Sequence, residues 1–461
     1  MNKKTSSIRL PFHFDRAMLP VIFSLAWPTM LEQFMQTAVQ YIDTAMVGTL
    51  GTQATAAVGS TGTVNWLIES TISAIGIGFL YYISQSIGAG KILQAKKAAG
   101  QAVFSTILVG IFFTLLTCSC SHLVPVWMRV DLSIRDMAAR YFLILYSPML
   151  FRTMNIILGT VLRSAGDAKS PMIAGITMNV INIVLNFFLI YNTRAVHLGN
   201  WILTVPGAGW GIEGAAVASA IAYTCGGILI AWKLWHHDVV SPKGQSLRPD
   251  PQVLKPCLRV AFPNMLQRFA TSLGYVAFAS MINSLGELST AAHTIANTVE
   301  SAFYIPGWGM QTAAATLSGN ARGAQDDERL HRLSNTIIPM EISLMLVSGG
   351  MLFVFAPTLM GIFTHDPQVL SLGTTVLRMV AVSEPFYGVP IVLEGMMQGL
   401  GKTMIPFVFN IIGMWGVRIV GTFICTQILG LGLIAAWGCM IAHNLLLFVL
   451  YIALFSSGKW K

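Results

Sequence analysis

Charge is what this chain most lacks. Only 10% of its 461 residues are Asp, Glu, Lys or Arg, whereas 54% are hydrophobic. Soluble domains carry about 25% charged residues, so a water-soluble enzyme of this composition would have too few polar groups to cover its surface. Paired cysteines are missing as well. Cys118, Cys120, Cys225, Cys257, Cys425 and Cys439 are scattered through apolar runs with no C-x-x-C pair, which excludes a secreted disulfide scaffold. The low hydrophobicity of a disordered chain is absent too. Neither H-E-x-x-H nor G-x-S-x-G occurs, so hydrolytic chemistry has no recognisable apparatus. Gly401-Lys402-Thr403 resembles the end of a phosphate-binding loop, but Met396 stands where its first glycine belongs. The chain is not expected to be an enzyme.

What it does contain is long apolar runs. Crossing the hydrocarbon core takes about 20 residues, and twelve runs suffice, near 18–42, 54–82, 99–121, 136–158, 171–192, 210–235, 257–282, 289–316, 334–356, 368–392, 404–427 and 432–455. The expected class is an all-α integral membrane protein with twelve transmembrane helices. The first run is too long for a cleavable signal peptide. Basic residues alternate between loops. Lys3, Lys4, Arg9, Arg16, Lys91, Lys96, Lys97, Arg163, Lys169, Lys233, Lys243, Arg248, Lys255, Arg322, Arg329, Arg332, Lys402, Lys459 and Lys461 fall on one side; Arg129, Arg135 and Arg194 fall on the other. The positive-inside rule then puts both termini in the cytoplasm of a multi-pass plasma-membrane protein. It also accounts for the net charge of +9 without a nucleic-acid partner.

The sequence repeats itself at an offset of 235 residues. Leu25-Ala26-Trp27-Pro28 aligns with Val260-Ala261-Phe262-Pro263, Leu50-Gly51 with Leu285-Gly286, Gly88-Ala89 with Gly323-Ala324, Gly166 with Gly401 and Pro171 with Pro406. After the fifth run the offset shortens, and Gly211 pairs with Gly432, because the first half has a longer loop around 191–206. Six spans per half is an even number, so the halves enter the membrane in the same sense, related by a pseudo-twofold along its normal. The expected division is an N-lobe over 1–235, a cytoplasmic linker over 236–252 and a C-lobe over 253–461. Two lobes that can rock about a central cleft make a transporter architecture. Pro28 and Pro263 should bend the first helix of each half, and Pro306-Gly307, Pro385 and Pro390 should break helices of the second.

Ionisable groups in lipid are costly and so are functional candidates by default. At about 100° per residue, Glu32, Gln36, Gln40 and Asp43 share one narrow face of the first helix. That face must meet protein or a wet cavity. Asn179, Asn182 and Asn186 share a face of the fifth helix, and Ser219 lies in a small-residue run of the sixth. Carboxylate, amide and hydroxyl oxygens suit H⁺ or Na⁺ rather than transition metals. Asp43, Asn182 and Asn186 would be the ligands if the ion is Na⁺. The amides could equally be interhelical glue. Glu69 and Glu300, with Trp66, Phe303, Tyr304 and Trp308 nearby in sequence, would suit an organic cation. The competing reading neutralises them with Arg152, Arg268, Arg378 or Arg418. Glu384 and Glu394 carry the same ambiguity, and His293 and His443 read as packing residues.

Together these segments resemble the multidrug and toxic compound extrusion (MATE) family over nearly the whole chain. Trp27-Pro28, Tyr41 to Gly48, Leu162 to Asp167 with Pro171, Asn179 to Asn186, Gly211 to Ala216 and Ala291 to Ala296 carry the resemblance. It implies a monomeric rocker-switch antiporter without a cofactor, exporting small organic, often cationic or amphiphilic, compounds against H⁺ or Na⁺. Asp43 matches the first-helix aspartate that carries the coupling cation, and Asn182, Asn186 and Ser219 match its partners. Gln36 and Asn179 join that set, and Glu32, Gln40, Glu69, Trp66, Glu300 and Tyr304 would contact cargo. The seventh helix carries Arg268 where NorM-like members have a glutamate, and Tyr387 falls near their tenth-helix aspartate. Coupling is therefore expected in the N-lobe. The alternatives are a flippase for a lipid-linked precursor and, more distantly, an intramembrane enzyme.

Overall fold

A computed structural model describes residues 15–60, 62–128, 130–198 and 201–460. Lys3, Lys4, Arg9, Arg129 and Lys461, and the side chain of Arg194, fall outside this description. The helices are α1 (Met18–Gly48), α2 (Thr52–Ser60), α3 (Gly62–Gly88), α4 (Ile92–Ser119), α5 (Leu123–Trp127), α6 (Arg135–Tyr146), α7 (Met149–Ser164) and α8 (Lys169–Leu189). An antiparallel hairpin follows, β1 (Asn192–Leu198) with β2 (Trp201–Ala208). Next come α9 (Gly211–Trp235), α10 (Pro251–Asn283), α11 (Glu287–Phe303), α12 (Ile305–Gly323), α13 (Asp327–Phe363) and α14 (Pro367–Leu400). The last two are α15 (Met404–Ile428) and α16 (Leu433–Ser456). The hairpin occupies the longer loop that the sequence places in the first half, around 191–206.

Eight of the described helices are long and apolar enough to cross a membrane, or nine with α6 and α7 taken as one span bent by 48°. The remaining runs from the sequence, near 18–42, 257–282 and 289–316, are helical too. They correspond to α1, α10 and the pair α11–α12, which carry Glu32, Asp43, Arg268 and Glu300 and are the more polar for it. Prolines act unevenly. Tyr304 separates α11 from α12, with Pro306 in the first turn of the new helix, where its missing N–H costs nothing. Pro385 and Pro390 lie inside a continuous α14 and break nothing. Neighbouring helices can re-satisfy the freed backbone groups. In α15 the backbone opens to i→i+5 hydrogen bonding over Ile411–Ile419 and Ile424–Ile428.

The internal repeat extends to the backbone. Gly51 and its counterpart Gly286 have φ of 108° and 100°, and Gly166 and Gly401 have 88° and 76°. Gly90 (φ 71°) is matched by Gln325 (φ 55°), the one non-glycine among the described residues with positive φ. A conformation that L-residues avoid has thus been kept by inheritance. Near one point, paired positions also touch. A Cβ on Gly88 would strike the Asn320 carbonyl, and one on Gly323 would strike the Gln85 carbonyl. Gln85 and Asn320 are themselves counterparts, so the contact is reciprocal, as a local twofold requires.

The chain forms two compact units. The first comprises Leu31–Ile83 and Lys91–Leu258; the second comprises residues up to Met30, Ser84–Gly90 and Arg259–Lys461. The core of the first gathers Val47, Ala57, Ile134, Tyr141, Ile212 and Ala216. That of the second gathers Phe278, Ala296, Leu352, Val376, Trp437 and Met440. Residues 236–252 are held to the first unit. The buried amide of Gln101 donates to the carbonyls of Arg248 (2.7 Å) and Ser246 (3.3 Å) and accepts from the N–H of Asp250 (2.9 Å). Lys97 pairs with Asp250.

Candidate functional site

The site begins on α1. Its last turns place Asp43 opposite α8, whose Asn179, Asn182 and Asn186 are all buried. Asn186 Nδ2 donates to Asp43 Oδ1 at 2.6 Å and lies 3.1 Å from Asn182 Oδ1. Asn182 in turn reaches Ser219 Oγ on α9 at 2.9 Å. With its amide turned over, Asn182 instead donates to Asp43 at 2.8 Å and 3.2 Å and accepts from Ser219. Three helices therefore bring Asp43, Asn182, Asn186 and Ser219 into one network. Small residues on α9 permit the approach: a Cβ on Gly214 would collide with the backbone of Leu189 and Ile190. One acceptor is left over. Asn186 Oδ1 is fully buried and has no partner, although buried acceptors are almost always satisfied. Carboxylate and amide oxygens facing one another are hard ligands suited to H⁺ or Na⁺. No cluster of three or more His, Cys, Asp or Glu suited to a metal occurs among the described residues.

The other polar residues of α1 divide. Gln36 and Gln40 are exposed. Glu32 accepts from Arg163 of α7 through both oxygens, at 2.7 Å and 2.6 Å. Gly175 of α8 makes room for it, since a Cβ there would sit 3.1 Å from Glu32 Cγ. Glu69 on α3 is likewise paired: Arg152 donates to it from Nε (3.1 Å) and Nη2 (2.6 Å). The Arg152 guanidinium lies 4.5 Å from the Tyr223 ring and 5.5 Å from that of Tyr146. Tyr146 completes the set by donating to Asn65 Oδ1 at 2.8 Å. Of the two readings open for Glu69, the geometry matches the arginine-paired one. Trp66 is 46% exposed beside it.

The second unit is differently built. At the repeat offset, Asp43, Asn182 and Asn186 correspond to Phe278, Val417 and Gly421, and Ser219 corresponds to Met440. Phe278 and Met440 belong to the apolar core. Arg418 lies there instead, its guanidinium 4.2 Å from the Phe278 ring and 4.9 Å from that of Tyr275. Glu300 is buried within electrostatic reach of Arg418. Tyr304 packs edge-on to Trp308 and Tyr387. His293 accepts from Trp437 Nε1 at 3.3 Å, a packing role. Glu394 receives Gln398 at 3.2 Å and has Arg268 in electrostatic reach.

One acid escaped the reading of the sequence. Glu341 of α13 is fully buried, and neither of its oxygens has a partner; the same holds for Glu384, 1% exposed. The signal was available, because Glu341 interrupts the apolar run 334–356 and the rule applied to Asp43 applies to it equally.

Comparison with known proteins fits this architecture. The MatE family model matches the chain twice, over residues 28–188 and 263–424. The second match opens on Pro263, the residue that the repeat pairs with Pro28. A probable multidrug resistance protein NorM of Thermotoga maritima is 26% identical over 95% of this chain and 92% of its own. YoeA of Bacillus subtilis, a probable multidrug resistance protein, is 26% identical over 89% and 87%. Among solved structures, a MOP superfamily transporter from Pyrococcus furiosus superposes with a TM-score of 0.88 at 22% identity, covering 100% of this chain and 99% of that one.

Proposed function

Since the chain belongs to the MATE family of multidrug efflux transporters, we propose that it is an antiporter whose coupling ion, H⁺ or Na⁺, binds at Asp43. It is a multi-pass membrane transporter and not an enzyme. The observation that carries the proposal is the network of Asp43, Asn182, Asn186 and Ser219 with its one unpartnered acceptor. A proton on Asp43, or Na⁺ among these oxygens, neutralises the only charge of the network. A neutral α1 face can pack where an ionised one must stay wet. Bending at Pro28 would turn that change into a shift of the helix. Cargo favours the ionised state, and linkage makes the two effects reciprocal. The cargo is a small organic compound, cationic or amphiphilic, leaving across the plasma membrane from a protein with both termini cytoplasmic.

The paired state of Glu32 and Glu69 refines the cargo reading. Each already has an arginine counter-charge, so neither offers a free anion to a cation in the first unit. Aromatic surface such as Trp66 would supply the contact there, and Gln36 and Gln40 the hydrogen bonds. Everted membrane vesicles test the proposal. Ethidium or norfloxacin is added while an imposed proton gradient, then a sodium gradient, is followed by fluorescence. The expected result is cargo-dependent collapse of one gradient, lost in Asp43→Asn. Unchanged ion-driven efflux in that variant would sink it.

A further inference from the structure

The cysteines are scattered along the sequence, and the fold brings two of them together in the second unit. Cys439 Sγ of α16 lies 3.8 Å from Cys425 Sγ of α15, across 14 positions of chain. No other cysteine among the described residues is hydrogen-bonded to a thiol. A glycine makes the approach possible. Gly421, one turn before Cys425, faces the partner helix, and a Cβ on it would sit 3.2 Å from Cys439 Sγ. Cys425 lies in the last i→i+5 turn of α15, Ile424–Ile428. There its carbonyl accepts from the N–H of Leu431 at 2.8 Å, and that of Ile424 accepts from Leu429 at 3.0 Å. The repeat did not supply this pair. Its counterparts in the first half are Ile190 and Ala218, both buried, so each cysteine stands where the other half packs hydrocarbon.

The pair sits near one end of both helices. Cys425 is in the last turn of α15 and Cys439 in the second turn of α16, and the residues between these helices, Leu429, Gly430, Leu431 and Gly432, are exposed. α15 starts beside Lys402, on the side that carries most of the basic residues, so it ends on the other. With cytoplasmic termini that other side is extracytoplasmic, where disulfides form and persist. We propose that Cys425 and Cys439 are a thiol–disulfide site that reversibly staples the outer ends of α15 and α16. A bond needs the sulfurs at about 2 Å. Rotation of a thiol between staggered rotamers closes the gap, and the wider last turn of α15 gives it room. The oxidant is itself a disulfide, small or carried by an oxidoreductase. One cysteine thiolate attacks a sulfur of that disulfide and displaces a thiol; the second cysteine attacks the mixed disulfide and displaces the other thiol. Two electrons pass to the oxidant, and the two cysteine protons end on its two released thiols. A dithiol reductant reverses the exchange. The outer placement rests on the cytoplasmic termini of the proposed function; the pairing rests on the distance between the sulfurs.

Met414 and Met440 bracket the pair with no methionine between them, so cyanogen bromide releases one fragment, 415–440, that holds both cysteines and no other. The full-length protein in detergent is incubated with glutathione disulfide, free thiols are trapped with N-ethylmaleimide, and the fragment is weighed. The expected fragment is two hydrogens lighter than the reduced one and takes up no maleimide; after dithiothreitol it takes up two. In Cys425→Ser or Cys439→Ser the remaining thiol should take one maleimide or one glutathione, and either variant serves if the other fails to fold. A fragment that still takes two maleimides after oxidation marks a pair of packing thiols and overturns the proposal. So does a glutathione on each cysteine, which marks two independent thiols. Sealed vesicles then locate the site, because glutathione disulfide does not cross the bilayer. A bond formed in right-side-out vesicles supports the outer staple. A bond formed only in everted ones overturns the outer placement and the cytoplasmic termini together, while the thiol pair stands.

Discussion

The two units share a backbone and have diverged in charge. In the first, Glu32 and Glu69 have arginine partners and Asp43 has two asparagines and a serine around it. In the second, the corresponding network has become Phe278, Val417, Gly421 and Met440, an arginine lies over the phenylalanine, and Glu341 and Glu384 are unpartnered elsewhere. Duplication preserved what backbone geometry demands, the positive φ at 51 and 286 or at 166 and 401. It did not preserve charge. A glycine in a left-handed turn has almost no substitute, whereas a polar network can be exchanged for a packed core once its function is carried elsewhere.

Substitutions in the two units should separate these roles. The largest stability change is expected at Arg152. Arg152→Met leaves Glu69 without its counter-charge and should cost about 3 kcal/mol, the lower end for a broken buried pair, because Glu69 keeps 31% side-chain exposure. Adding Glu69→Leu should restore most of it, as thermal unfolding in detergent would report. Transport should respond most to Asp43→Asn, which is expected to lose roughly 5–150-fold in ion-driven efflux, the range of ordinary coupling free energies. Phe278→Leu, at the equivalent position, should leave efflux nearly unchanged. An equal loss in both would break the comparison.

Arg418→Met should destabilise by up to about 2 kcal/mol, the scale of a desolvated cation–π contact, and by less than Arg152→Met. The smallest effect is expected where residues 236–252 are tied down. Lys97 and the Gln252 N–H hold the Asp250 carboxyl below its ordinary value. A folded pKa below the unfolded one means that the stabilisation is present above about pH 3.9 and is lost as pH falls through the folded value. The melting temperatures of the unmodified protein and of Asp250→Asn should therefore differ slightly near neutrality and converge in acid. A gap that widens in acid would contradict the pairing.

Much of this was legible in advance. The apolar runs located helices because lipid forces backbone groups to pair within a segment. The offset of 235 was visible in glycines and prolines, the residues whose positions backbone geometry constrains most. Asp43, Asn182, Asn186 and Ser219 were legible as polar faces on three helices, and the structure does bring them together. Glu341 was legible by the same rule and was passed over. The hairpin at 192–208 was not, since its loop carries no strand alternation strong enough to stand out.

Partnership is where the sequence stopped. Composition, periodicity and repeat determined by themselves that this is a helical membrane protein built twice from one plan, because burial in lipid and left-handed turns act residue by residue along the chain. Which arginine meets which carboxylate was decided only in the tertiary structure. Glu69 had four candidate arginines and took Arg152; Glu32 took Arg163, 131 positions away. Helix packing sets those distances, and an electrostatic pair depends on separation in space, which spacing along the chain does not encode.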